Sequence, residues 1–514
     1  MIEPRVYQAI AEVVGPDFIS DDPVVRHVYA KDGAFPSIMR RYQKDPTAIP
    51  DLVVLPDGTE EVQGVLRIAN RYGLKVIPII TGANMVSLCI ASEPGTIALD
   101  LKRMDKILDI DERNMTATIQ PYVSFARIQS ETMKRGLWNG GTPLAPGSCG
   151  LLANIINSGT WQSSLAYGVG LRSLANLTLV LPNGDILRTG SATVPGCGNF
   201  WCQGPGPDLK GVFEFTNHGG MAVITEATVK LHAWAGGEWP QEEIYNRPPL
   251  PANHRIYYIE YPDIESMNEA LYEIAHSGIG THLNGASNGW VTSMTQRTEE
   301  LAEKRWREGF FPRHLIYVVT AGISSPRQLE HEEKVLKDIV EETGGRFRED
   351  LREEMSTWHG DAFLDGCGSR FQRHGSFSSI KLGCGNIDNH REFYERSMVI
   401  VDRHPHYIFD EETPWVYIFE RGYYALFEDD TVFDQSDYEE VKQARDMNID
   451  GFIRTPKEDL LDLGYYYMEP VLSIYSPMVG PNAKHWVAQI KNVFDPKNTM
   501  NPGKLVRLEP TKTD

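Results

Sequence analysis

Between Asp51 and His232 the apolar positions keep changing period, from two to about 3.6 and back, which predicts alternating strands and helices. "DLVVLPDG" reads as a strand and turn. "TEEVQGVLRIANRYG" reads as an amphipathic helix with Val62, Val65, Leu66 and Ala69 on one face, Thr59 as its cap and Glu60 and Glu61 in its first turn. "KVIPII" and "TIALDL" are short apolar strands. "KILDIDERNMTATIQPYV" predicts a hairpin turning at Asp111 to Asn114, and "SFARIQSETMKRG" a helix stopped by glycine. "SLANLTLVLPNGDILRTG" predicts two strands joined at Pro-Asn-Gly, and "GGMAVITEATVKLH" a closing strand.

Past "AWAGGEWPQ" the pattern changes. Charged helices such as "TEELAEKRWREG" and "QLEHEEKVLKDIVEETG" alternate with the strand-like runs "HRIYYIEYP", "HLIYVVTAG", "SSIKLGCG" and "WVYIFERGYYALFE". This predicts an α+β unit of roughly 200 residues, an ordinary domain size. The turn-rich "FDPKNTMNPGKL" follows near the end. No internal repeat is visible.

Composition narrows the function. The 514 residues exceed what one core serves, so two or more domains are expected. With 41% hydrophobic and 23% charged residues, the chain has the composition of a folded globular protein. A net charge of −20 argues against nucleic acid or an anionic membrane surface as partner. No leader-like or membrane-length apolar run is present, so a soluble cytoplasmic protein without membrane insertion is expected. Cys197 and Cys202 lack a second pair, and no metal site is expected.

Three polar, glycine-bearing segments carry the candidate chemistry. "TGANMVS" (81–87) interrupts a strand–helix–strand unit, where Gly82 permits close backbone approach and Thr81, Asn84 and Ser87 offer side-chain hydrogen bonds. "GGTPLAPGSCGLLANIINSGTWQSSLAYGVG" (140–170) reads as a long loop, too apolar for disorder. "NHGGMAVITEATVKL" sets a glycine pair before a buried strand.

In this order the segments resemble the flavoproteins of the vanillyl alcohol oxidase/para-cresol methylhydroxylase superfamily. The likeness runs over Asp51 to His232 and again over Asp495 to Lys504 ("DPKNTMNPGK"); between them it fades. It also extends to glycolate oxidase and D-lactate dehydrogenase-like members. The resemblance implies an α+β fold: a two-subdomain FAD-binding domain of the PCMH type (1–235), an antiparallel cap with helices (236–470) and a returning C-terminal segment (471–514). It implies FAD, its diphosphate held by backbone N–H groups of Gly82, Ala83, Asn84 and Met85 beside Thr81. That choice suits a chain too acidic for a basic clamp. Gly147, Ser148, Ala153, Asn157 and Gly159 would line a second flank. Ile224 would reach the pyrimidine edge through its backbone, and Asn501 and Lys504 would approach from the C-terminal segment; for Lys504 a solvated terminal lysine is the rival reading.

Asn84 stands where some relatives carry a flavin-linking histidine, so non-covalent FAD is the expectation, with His374 and Cys149 as alternative anchors; Cys149 reads first as a small buried thiol. Tyr167, Tyr475 and His374 are the candidates for managing a proton. Arg370, Arg373 and Arg421 are the candidates for gripping an acidic substrate group, against a solvated reading for the loop arginines. The phenol-oxidising set is half present, since the position of its acidic base reads as Ala145. "GDAFLDG" lacks the histidine of metal-dependent hydroxy-acid dehydrogenases. The resemblance implies hydride transfer from an alcohol, phenolic, benzylic or hydroxy-acid small molecule to flavin N5, with oxygen or an acceptor protein taking the electrons. A dehydrogenase subunit serving a protein partner is the alternative, a non-enzymatic flavin binder a more distant one, and a homo-oligomer is compatible with either.

Overall fold

The computed structural model describes residues 2–30, 42, 44, 49–82, 88–141, 147–157, 159–214, 219–237, 250–251, 253–286, 288, 291–292, 299–352, 376–404, 415–434, 436–451 and 482–505. A first, four-stranded sheet has the order β1-β2-β4-β3, from β1 (Ile19–Ser20), β2 (Leu52–Val54), β3 (Lys75–Ile79) and β4 (Thr96–Asp100). Strands β2 and β3 run parallel to β4, so a crossover must join β2 to β3. The helix Thr59–Tyr72 supplies it and buries Val62, Val65, Leu66 and Ala69. The amino-terminal helix Pro4–Val14 adds Val6, Ile10 and Val14 to the same core. Thr59 does not cap the helix. Gly58 is the cap residue, and the Thr59 hydroxyl donates to Thr225 Oγ1 across to the second sheet (2.9 Å). Gly73, at φ +70°, ends the helix in the left-handed conformation that glycine adopts without strain.

The second sheet is antiparallel, in the order β5-β6-β10-β8-β9, from β5 (Ile107–Asp111), β6 (Thr116–Ile119), β8 (Leu174–Val180), β9 (Ile186–Arg188) and β10 (Val223–Lys230). Both hairpins expected from the turn residues are present. A two-stranded ribbon pairs β7 (Leu137–Trp138) with β11 (His232–Ala233). The segment 140–170 is less loop-like than its sequence predicts. It contains the short helices Leu151–Asn157 and Ser164–Tyr167, whose Leu151, Leu152, Ile155 and Leu165 are buried.

The third sheet, the cap, has seven antiparallel strands in the order β15-β12-β14-β13-β17-β18-β16. They are β12 (His254–Glu260), β13 (His282–Ala286), β14 (Leu315–Ala321), β15 (Arg346–Phe347), β16 (Ser376–Gly385), β17 (Trp415–Phe419) and β18 (Tyr424–Phe433). "WVYIFERGYYALFE", read as one strand, is a hairpin whose corner places Glu420 (φ +48°), Arg421 (φ +59°) and Gly422 (φ +89°) in left-handed backbone. One face of this sheet packs Tyr257, Ile259, Val318, Val416, Ile418 and Phe427 under the helices Ile264–His276, Pro326–Glu342 and Asn389–Arg403. The other face carries Ile256, Tyr258, Tyr317 and Val319, and these pack with Met133 and Trp138 beside the second sheet. Strand alternation explains the division: neighbouring residues point to opposite faces.

The carboxyl-terminal helix Ala483–Phe494 returns the chain to the first domain, where Met500 bridges to Val76 of β3. A fully buried ion pair fixes this return. Lys491 Nζ donates to Asp495 Oδ2 (2.9 Å), Gly220 O (2.6 Å) and Met500 O (3.0 Å). Asp495 in turn accepts the N–H groups of Thr499 and Met500, both at 2.8 Å.

Candidate active site

Three chain segments meet between the first two sheets. Strand β3 delivers Thr81 and Gly82. Thr81 Oγ1 accepts the N–H of Gly150 (3.2 Å), so the opening loop and the 147–150 turn are held together. That turn is seated on the helix Phe125–Met133: Ala126 N–H donates to Gly147 O (2.9 Å) and Phe125 N–H to Cys149 O (3.0 Å). Gly82 has φ +69°, and a Cβ built on it would meet only Ile79 at 3.7 Å, which leaves its outer side open. The glycine pair before β10 is different. A Cβ on Gly219 would meet Pro78 Cγ at 2.4 Å and the carbonyl of Gly220 is taken by Lys491, so these glycines join β10 to β3 and the C-terminal helix.

The C-terminal segment reaches the same place. Asn501 Nδ2 donates to Leu88 O (3.0 Å), just past the opening loop. Lys504 is 0% exposed, which rules out the solvated-tail reading. Of the second flank, Gly147 and Gly159 are buried, Ala153 is half-buried, Ser148 is exposed, and Asn157 ends its short helix. Gly159 serves packing: its N–H goes to Asn154 O, its carbonyl accepts from Gly170, and a Cβ would sit 2.9 Å from Gly170 N. Ile224 is buried in β10 beside a register shift. Cys149 is buried, as expected of a small thiol.

Tyr167 ends the helix Ser164–Tyr167 against Trp138 and His232, whose ring centroids lie 5.4 and 4.5 Å away. Burial pushes its hydroxyl up to about 12, while a hydrogen bond from Trp138 and the Arg421 guanidinium oppose the shift. The phenol is therefore neutral near pH 7. Arg421 does not reach out toward a ligand: its guanidinium donates to Ile279 O (2.6 Å) and Gly280 O (3.1 Å), and Glu332 accepts the Gly280 N–H (3.1 Å). Its neighbour Glu420 pairs with Arg172 of the FAD-side domain (2.8 Å). Ala83, Asn84, Met85, Arg370, Arg373, His374 and Tyr475 lie outside the described residues.

Buried carboxamides not anticipated from the sequence complete the site. Gln129 Nε2 donates to Gly141 O (3.2 Å) and Asn139 Nδ2 reaches the same carbonyl at 3.5 Å. Among the described residues Gln129 Oε1 and Asn139 Oδ1 are left without a hydrogen-bond partner, as is Gln162 Nε2. Two orphaned acceptors and a donor inside protein call for a ligand with both N–H and carbonyl groups. A flavin has both, and a glycine at position 82 lets a diphosphate approach the backbone closely, so the donor set fits FAD. Among the described residues no group of three or more His, Cys, Asp or Glu could hold a metal ion. No helix among them is long and apolar enough to cross a membrane.

Comparison with known proteins points to the same cofactor. Residues 50–190 match the model of an FAD binding domain and residues 474–505 that of the C-terminal domain of FAD linked oxidases. Over these two segments the chain is similar to the FAD linked oxidases. Its cofactor is FAD. It is 32% identical over 231 residues to the glycolate oxidase subunit GlcD of Bacillus subtilis, covering 45% of each chain. It is equally 32% identical over 227 residues to the flavoprotein subunit of 4-cresol dehydrogenase (hydroxylating) of Pseudomonas putida, covering 43% of this chain and 40% of that one. The match thus spans less than half the length of these relatives. A solved structure of p-cresol methylhydroxylase with substrate bound shares the fold, with a TM-score of 0.76 at 17% identity over 98% of this chain and 96% of that one. The α+β architecture of this flavoprotein, an FAD-binding domain with a cap, follows that structure.

Proposed function

We propose that this flavoprotein is an oxidoreductase that oxidises a small molecule at a carbon bearing a hydroxyl or at a benzylic carbon. Residues 1–235 and 471–514 form its FAD-binding unit and 236–470 its cap. The observations that carry the proposal are the meeting of Thr81–Gly82, Gly147–Gly150 and the Asn501–Lys504 segment between the first two sheets, and Tyr167 packed on Trp138 beside the cap sheet. When bound there, FAD supplies the hydride acceptor. Thr81, Gly82 and the loop after them would hold the diphosphate end, and the carboxamide oxygens of Gln129 and Asn139 would be the acceptors available to the ring's N–H. Tyr167, neutral and half-buried, holds its proton at the hydroxyl oxygen and orients a substrate oxygen by hydrogen bonding. His374 and Tyr475 are the further candidates for moving the proton, Arg370 and Arg373 for binding an acidic group.

FAD is held non-covalently in this reading, and the protein is cytoplasmic. The test is the visible spectrum of the purified protein before and after acid precipitation, followed by anaerobic addition of aryl alcohols, phenols and D-2-hydroxy acids. Yellow supernatant and bleaching by one class are expected; a protein without flavin or affinity for it refutes the proposal. A second reading, a dehydrogenase subunit passing electrons to a protein partner, is favoured by the subunit status of both relatives. Rapid oxygen consumption without an added acceptor would eliminate it.

A further inference from the structure

A recess of about 460 Å³ opens at the edge of the cap sheet, within the range of about 300–1,000 Å³ found for small-molecule sites. One wall is β12 at Arg255–Tyr257, beyond Ile259 and Glu260, which β15 covers. Helix Pro326–Glu342 and the chain 347–352 form the others. Tyr257 packs on the helix-covered face of the sheet and Tyr258 on the face toward Trp138. The Tyr257 floor of the recess and Tyr167 therefore lie on opposite faces of the sheet.

Arg352 is a cation fixed in the recess. Its Nη2 donates to Ile256 O (3.1 Å), its Nη1 to Glu349 (3.2 Å), and its guanidinium sits 5.5 Å from the centroid of the Tyr257 ring. A guanidinium has five N–H donors in one plane, so the fork keeps donors to spare after these two bonds. The Glu349 contact joins side chains that are 41% and 68% exposed. Such a pair is worth little, and an incoming anion can take the place of Glu349. The hydroxyl of Tyr257 is buried and meets no hydrogen-bond partner among the described residues. Burial and the nearby Glu333 carboxylate push it up to about 12, so it is a donor at neutral pH. A buried donor without a partner is a place for an acceptor from outside the chain.

Charge and shape define the ligand. Arg255, Lys337 and Arg352 line the recess with Glu333 and Glu349, three cations against two carboxylates in a chain of net charge −20. Lys337 already pairs with Glu333 (2.6 Å). This balance admits one negative charge on the ligand, and a planar carboxylate matches the guanidinium fork. Tyr257 and Phe347 stand edge to face with centroids 6.2 Å apart, and Leu250 lines the same recess. These side chains suit a flat apolar body.

We propose that this recess is a second binding site, for a small aromatic monocarboxylate: the carboxylate accepts from Arg352 and the Tyr257 hydroxyl, and the ring lies against Phe347 and Leu250. The site goes beyond the oxidoreductase reading above and does not rest on it.

The experiment is isothermal titration of the purified full-length protein with benzoate, benzamide and inorganic phosphate. Wild type, Arg352→Gln and Tyr257→Phe are compared; if the buried Tyr257→Phe misfolds, the surface variant Arg352→Gln carries the test. The expected result is one benzoate per chain, bound about tenfold or more weaker in Arg352→Gln, the scale of a lost charged hydrogen bond, and several-fold weaker in Tyr257→Phe. Benzamide, which lacks the charge, and phosphate, which lacks the ring, should both bind more weakly than benzoate. FAD content should be the same in all three proteins. No heat up to ~10 mM benzoate, a few kcal/mol of binding at most, overturns the proposal. So does equal benzoate affinity in wild type and Arg352→Gln, which would place the ligand elsewhere, the flavin site included. Benzamide or phosphate binding as tightly as benzoate overturns it as well. The heat of binding needs no chromophore, so a protein without flavin would end the oxidoreductase reading and leave this test unchanged.

Discussion

Replacing Lys491 by methionine tests how the C-terminal segment is held. Lys491 and Asp495 are both 0% exposed. The substitution keeps most of the side-chain volume and removes one charge. Two carbonyls, of Gly220 and Met500, lose their Nζ donor, and Asp495 keeps only the Thr499 and Met500 N–H groups. Removing one member of a buried pair costs about 3–5 kcal/mol, because an uncompensated charge stays behind. The expected loss in urea unfolding of the ligand-free protein is therefore about 3–5 kcal/mol. Lys491→Met/Asp495→Asn should recover part of it, since the neutral amide can still accept one of the two N–H groups. FAD affinity should fall too, because Asn501 and Lys504 follow within a few residues. A single-variant loss under about 1 kcal/mol, outside the range for a buried pair, would refute the reasoning. So would a double variant no more stable than the single one, because then the stranded charge is not the cost.

Acid should destabilise the cap and the β7–β11 ribbon in a defined window. His232 and His254 are lowered to about 4 and His282 to about 3, mainly by burial. Below pH ~6.5, the unfolded value, the unfolded chain takes up protons that the folded chain refuses. Stability is thus intact above about pH 6.5 and falls as pH drops toward 4, by up to about 1.4 kcal/mol per pH unit for each histidine. Denaturation midpoints across pH 4–8 check this, and a His254→Asn variant should show a shallower slope; an unchanged slope counts against a buried neutral His254. Gly219→Ala and Gly73→Ala form a matched pair. Both glycines have positive φ, but a Cβ at 219 strikes Pro78 at 2.4 Å while one at 73 meets nothing within 4 Å. Gly73→Ala should cost about 1 kcal/mol, the backbone term alone, and Gly219→Ala clearly more, with weaker FAD binding; equal losses in urea unfolding would refute the packing role.

Local signals were legible wherever the cause was local. The face of Val62, Val65, Leu66 and Ala69, the turn at Pro182–Gly184 and the Gly136 stop all arise from period or from backbone preference within a few residues. Thr59 failed as a cap because Thr225, 166 residues away in sequence, offered its hydroxyl a partner. The corner at Glu420–Gly422 was invisible because two of its three left-handed residues are not glycine, and only the surrounding contacts to Arg172, Ile279 and Gly280 hold them there.

The sequence alone determined the strand and helix order, the glycine-bearing loops and, through their resemblance, the cofactor, because these depend on residue types at short spacing. Only the tertiary structure decided which polar residues are buried and what they meet. Lys504 became a core residue, Arg421 a backbone clamp, and Gln162 a fixed amide with a donor to spare, although each reads along the chain as an ordinary polar position. Burial and hydrogen-bond satisfaction are set by segments distant in sequence, and those are the quantities that give a side chain its chemistry.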